Sequence, residues 1–170
     1  MTLNYTNNFR DLVAWHRIVY PILNSPEYRK RKRFRHHGDI SVYDHCVHVS
    51  IKAFMFAKKF GLNSSDAAIA GLLHDFYETP WQDVKIKQPL LKKHGFTHAE
   101  SALNNSRIYF KEHLNPTIEN AIYCHMFPLN KRIPKNKISI LITIVDKYVS
   151  LEMLKEPESI RKTIGALKGD

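Results

Sequence analysis

Residues 65–77 read SDAAIAGLLHDFY. Within that stretch Ala67, Ala70, Gly71 and His74 recur at three- and four-residue intervals, the period of one helix face. The stretch is therefore expected to be a helix from about Ser65 to Tyr77, with small side chains that let a neighbouring helix approach closely. Pro80 disfavours helical geometry in the residue before it, so the helix should stop short of it. His74 continues the apolar face and Asp75 follows it directly. Burying such polar groups is costly unless partners satisfy them.

Working outward, the chain supplies partners of the same kind. From Ser41 to Phe60 the stripe Val42, His45, Val49, Ala53 and Phe56 predicts a long helix, with Gly61 just past its end and Asn63 or Ser64 capping the next. Phe9 to Leu23 is a helix by Leu12, Trp15, Ile18, Val19 and Ile22. Further helices are read over Thr97–His113, Thr117–Met126 and Lys137–Lys155, and a weak one over 158–168. His36-His37-Gly38-Asp39 reads as a turn. Residues 81–95, with Pro89 and Gly95 among lysines, read as a long loop or broken helix. No period-two strand pattern is present, so the fold class expected is all-α: a single-domain helical bundle over 1–170, core about 41–150, with helices from 9–35 and 158–168 packed on it.

Each predicted helix from His45 onward to Asp146 offers an inward ligand: His45, His74 with Asp75, His98, His125 and Asp146. Imidazole and carboxylate are the donors of divalent-metal sites. A carboxylate can bridge two cations, and Asp75 is the natural bridge. His45, His74 and Asp146 would complete one coordination sphere and His98 and His125 the other. Two cations roughly 3.5–4 Å apart can hold a nucleophile and polarise a phosphoryl oxygen together.

Composition narrows the alternatives. The formal charge of +10 points to anionic partners. No apolar run reaches the roughly 18 residues of a membrane span. Residues 1–10 are polar and lack a signal-peptide core, so the expected location is the cytoplasm. Cys46 and Cys124 form no CxxC arrangement, which excludes a zinc knuckle or disulfide framework, and are read as small buried thiols behind the site. Asp44 is read as a helix-surface charge.

Quoted as they stand, SVYDHCVHVS, AAIAGLLHDFYETPW, HGFTHAES, IENAIYCHMFP and ITIVDKYVS resemble the HD-domain superfamily of metal-dependent phosphohydrolases from Ser41 to Ser150. The resemblance implies that His45, His74, Asp75 and Asp146 hold one metal, and that His98 and His125 add a second. In pattern the chain is most similar to the bacterial diadenosine-tetraphosphate hydrolase subgroup. It departs by Glu78 where many relatives have lysine, and it lacks the GYP signature of cyclic-dinucleotide hydrolases.

The activity expected is hydrolysis of a phosphoester or phosphoanhydride of a nucleotide or other small phosphate compound by a metal-bound hydroxide, with Asp75 and His74 as catalytic residues. Iron or manganese is the preferred metal, with zinc, nickel or magnesium as alternatives. Lys147, beside Asp146, and Arg35, His36 and His37, at the end of the basic run Arg29–Arg35, are candidate substrate contacts, although that run also reads as a solvated face. Two other readings stand beside this one: a di-iron oxygenase, and a basic nucleic-acid-binding module with a vestigial metal site. No role is given to His16, His48, His94 or His113.

Overall fold

The first helix, α1 (Phe9–Leu23), buries Trp15, Val19 and Ile22, as its apolar spacing requires. The computed structural model of the chain describes residues 9–37, 40–77 and 90–155, and among these the side chains at 9–35, 40–77 and 98–155. The helix expected at 158–168 lies outside them, as do residues 78–89.

After α1 comes α2 (Pro26–Arg29), with proline in its first turn where a missing N–H is harmless. The basic run continues as a 3-10 turn (Lys30–Arg33) and then a strand, β1 (Arg35–His37), which pairs antiparallel with β2 (Ile40–Ser41). The sequence reading expected only a turn here. A ladder of three residues against two is too short to print a period-two pattern. Nor is the run a uniform solvated face: Arg29, Lys30, Lys32, Arg33 and Arg35 are exposed, but Arg31 is buried with its guanidinium 3.9 Å from the centroid of the Phe76 ring.

The central pair is α3 (Val42–Lys59) and α4 (Ser64–Leu73). Ser41 caps α3 by accepting from the Asp44 amide at 3.1 Å, and its hydroxyl donates to Asp44 Oδ2 at 2.7 Å. Asp44 is thus half of a capping arrangement and not a plain surface charge. Asn63 caps α4 through the Asp66 amide. The two helices touch backbone to backbone: a Cβ on Gly71 would lie 2.8 Å from Ser50 Cα. Ser50 completes the contact, taking the Trp15 indole N–H at 2.9 Å and donating to the Ala68 carbonyl at 2.6 Å.

Helix α4 ends at Leu73, four residues before the expected Tyr77. The carbonyls that would receive the next helical amides are taken by side chains. Gly71 O bonds the His74 ring at Nδ1, 2.8 Å away, and Leu72 O accepts from the Tyr28 hydroxyl at 2.8 Å. His74 and Asp75 therefore stand just past a helix end.

Helix α5 (Leu90–Tyr109) starts earlier and ends sooner than expected, and Lys111–His113 forms a separate 3-10 turn. Pro89 precedes it in sequence, and proline is compatible with a helix start even though it breaks a helix interior. Asn115 caps α6 (Pro116–Cys124), and α7 runs over the expected Lys137–Lys155. Helix α4 lies among α1, α3, α6 and α7. The core thus surrounds α4, from Ala67 to Leu73. Among the described residues no helix is long and apolar enough to cross a membrane.

Candidate metal centre

Five elements converge where α4 stops. His45 comes from the first turns of α3, His98 from α5, Asp146 from the middle of α7, and His125 from the residue after α6. All except His98 are at most 8% exposed. The sequence reading has all five predicted helices offering a ligand to one interior; the structure brings the six side chains into two clusters, His45 with His74 and Asp146, and Asp75 with His98 and His125.

In the first cluster His45 Nε2 is 3.2 Å from His74 Nε2 and 3.1 Å from Asp146 Oδ1, and His74 Nε2 is 3.4 Å from the same oxygen. In the second, the His98 and His125 Nε2 atoms are 3.1 Å apart, and Asp75 Oδ1 lies 3.5 Å and 3.4 Å from them. Two ligands at about 2.1 Å from one cation, at tetrahedral or octahedral angles, stand about 3.0–3.4 Å apart. Both triangles have nearly those edges. The other oxygen of Asp75, Oδ2, is 3.6 Å from His74 Nε2, so one carboxylate faces both clusters.

The histidines are held in orientation from behind. His74 Nδ1 meets Gly71 O and His125 Nδ1 meets Ile122 O, each at 2.8 Å. A carbonyl only accepts, so each Nδ1 carries the proton and, in the neutral ring, Nε2 turns its lone pair to the centre. Asp75 Oδ1 is buried without a hydrogen bond of good geometry. A buried carboxylate oxygen facing two imidazole nitrogens fits a cation between them. Asn105 fixes the segment just beyond, its Nδ2 donating to Phe76 O at 3.1 Å.

The electrostatics suit the same donor set. Burial opposes ionisation of Asp75, but the His74 charge and the His125 and His98 rings outweigh it and hold the carboxyl well below its usual range. Asp146 is likewise pushed up by burial and brought well below its usual range by hydrogen bonds from His45 and His74. Burial disfavours the charged His74 ring, yet the Asp75 charge prevails and raises its pKa well above the ordinary value. Burial lowers His125. It raises the thiols of Cys46 and Cys124, which remain small packing groups.

The candidate substrate contacts are placed differently. The Lys147 ammonium donates to the carbonyls of His125 at 3.0 Å and Thr143 at 3.3 Å, which uses two of its three N–H groups. Arg35 is exposed on β1, and the side chains of His36 and His37 lie outside the described residues.

One buried group beside the site had no role in the sequence reading. His48, on the same face of α3 as His45, bonds Glu152 of α7 through Nε2 at 3.1 Å, and Lys52 Nζ lies 2.9 Å from the same carboxylate. The signal was the i, i+3, i+7 spacing of His45, His48 and Lys52. This cluster pins α3 to α7 beyond His45 and Asp146.

Compared with known families, residues 42–151 match the HD domain. No curated protein and no solved structure matches the chain, so the finer likeness to diadenosine-tetraphosphate hydrolases gains no support.

Proposed function

The chain belongs to the HD-domain family, whose members are in general metal-dependent hydrolases, and we propose that it cleaves a phosphoester or phosphoanhydride of a nucleotide or other small phosphate compound. The observation that carries the reading is the single carboxylate of Asp75 shared between two three-ligand clusters.

In this reading His45, His74 and Asp146 would hold one divalent cation and His98 and His125 a second, with Asp75 placed to serve both clusters. Bound cations supply Lewis acidity, which polarises a phosphoryl oxygen and acidifies water. The protein's own part is to fix the ligands. The carbonyls of Gly71 and Ile122 set the tautomers of His74 and His125, and the ionised carboxylates offset the cationic charge. The remaining donor on Lys147 is available to a phosphate oxygen. Four imidazoles with two carboxylates suit iron or manganese, and zinc or nickel next; magnesium, which prefers oxygen, ranks last.

Elemental analysis of the purified protein, with release of phosphate from a panel of nucleotides and model phosphodiesters, tests this. Asp75→Ala is expected to abolish metal-dependent turnover while leaving the far-ultraviolet circular dichroism unchanged. Unchanged turnover in that variant overturns the reading, and oxygen consumption in place of phosphate release assigns the centre to an oxygenase.

A further inference from the structure

Helix α7 carries Asp146 on its inner face, and its outer face is unlike the rest of the surface. From Ile138 to Leu154 every exposed residue is large and apolar: Ile140 (48% exposed), Ile144 (60%), Tyr148 (39%), Leu151 (60%) and Leu154 (65%). Their spacing of four, four, three and three residues averages 3.5, which makes a straight seam along the helix. No exposed charge interrupts it. Isolated apolar side chains at a surface are ordinary, but a continuous stripe marks an interface.

We propose that this stripe joins two copies of the chain in a twofold-symmetric dimer, α7 packing antiparallel against α7. The order of residues favours this occupant. Placed antiparallel with Tyr148 near the axis, the seam comes close to itself: Ile144, four residues before Tyr148, lies nearest Leu151 of the other copy, three residues after it, and Ile140, eight before, lies nearest Leu154, six after. Such self-complementarity is what an isologous contact requires. The area is also sufficient. At the observed exposures the five side chains offer roughly 550 Å² per chain, or about 1,100 Å² for two when fully covered, which clears the roughly 1,000 Å² a specific interface needs.

The centre of the seam is already rigid. Lys52 Nζ lies 4.7 Å from the centroid of the Tyr148 ring, and Lys52 is itself held by Glu152. An aromatic fixed in advance loses little freedom on association, the character of an interface anchor. The chain charge of +10 opposes bringing copies together, so added salt strengthens the dimer.

Sedimentation of the full chain at micromolar concentration tests the proposal. The expected mass is twice the 19.9 kDa of one chain, rising in population with salt, and falling to one chain in Ile144→Glu and in Leu151→Glu with helicity and bound metal unchanged. The register is tested by disulfide trapping. Ile144→Cys and Leu151→Cys should crosslink when mixed and not alone, because like positions stand too far from the axis for a disulfide. A wild-type mass of one chain overturns the proposal, whether the stripe is then covered by residues 156–170, which carry Ile160, Ile164 and Leu167, or by another partner. A dimer that survives both glutamate variants overturns it too, as does crosslinking of either cysteine variant alone.

Discussion

His45 Nε2 and Asp146 Oδ1 stand 3.1 Å apart across 101 residues of sequence. A contact of that precision between α3 and α7 needs the helices fixed in register, and the cluster beyond it supplies the fixing. Lys52 and His48 of α3 both reach Glu152 of α7, and Lys52 is 1% exposed. Removing one partner of a buried pair leaves the other charge uncompensated. Glu152→Ala is therefore expected to cost about 3 kcal/mol in urea denaturation, and Lys52→Met combined with Glu152→Leu to cost less. Equal losses in the two proteins would show that the pair contributes nothing specific.

The same carboxylate should leave a mark on acid stability. Burial raises the Glu152 pKa, but hydrogen bonds and charge from His48 and Lys52 bring it from 4.5 down to about 2. A depressed folded pKa contributes stability that is complete above the unfolded value and is lost as pH falls through the folded one. The stability difference between wild type and Glu152→Gln should thus shrink as pH falls between 4.5 and 2. Taking the difference cancels Asp75 and Asp146, which titrate in both proteins. A gap that stays constant to pH 2 contradicts the assignment.

Gly71 has no room for a side chain, since its Cβ would lie 2.8 Å from Ser50 Cα and 3.1 Å from Ser50 N, both backbone atoms that cannot turn aside. Gly71→Ala must push α4 away from α3, at a cost of about 1–3 kcal/mol. The Gly71 carbonyl also orients His74, so the displacement reaches the proposed metal ligands. Weaker metal binding together with a lower midpoint is the expected pair of results. A variant as stable as wild type would mean that the helices can separate freely.

Much of this was legible in the sequence because helices repeat locally. The spacing of His45 with Val42 and Val49, and of Asp146 with Ile142 and Val149, already turned both ligands inward. The end of α4 was not legible. It depends on Tyr28, 44 residues away, taking the Leu72 carbonyl, and no local period encodes such a meeting. Arg31 was hidden in a basic run that looked uniform, because only the fold brings Phe76 beneath its guanidinium. Glu152 sits six residues from Asp146, off the helical repeat of the ligands, and its role appears only when His48 and Lys52 arrive from another helix.

Proton and metal should compete at His74. In the metal-free protein burial opposes the charged ring, and the Asp75 charge nevertheless raises its pKa well above 6.5. A raised folded pKa stabilises the metal-free fold fully below the unfolded value and ceases to do so as pH rises through the folded one. A cation needs the unprotonated Nε2, so metal affinity runs the other way and increases with pH. Titration calorimetry with manganese in buffers of different ionisation enthalpy, between about pH 6 and 8, should detect release of at least one proton per chain. Affinity that is flat across that interval, with no proton released, would exclude His74 as a ligand.

The two clusters differ in how much they matter to the fold, and this lets their chemistry be separated. The His98 side chain is 20% exposed whereas that of His45 is wholly buried beside His74 and Asp146. His98→Ala should leave the denaturation midpoint nearly unchanged, because little packed volume is lost. It still removes one corner of the second triangle, leaving His125 and Asp75 too few donors to keep a cation through gel filtration. On the two-cation reading proposed above, bound metal is expected to fall from two ions per chain to one, with phosphate release reduced at least ~100-fold. His45→Ala should also lose metal, but with a drop in stability from the cavity and the exposed imidazole of His74. If His98→Ala keeps full metal content and turnover, the second triangle is not a coordination sphere, and hydrolysis at this centre would rest on His45, His74, Asp75 and Asp146 alone.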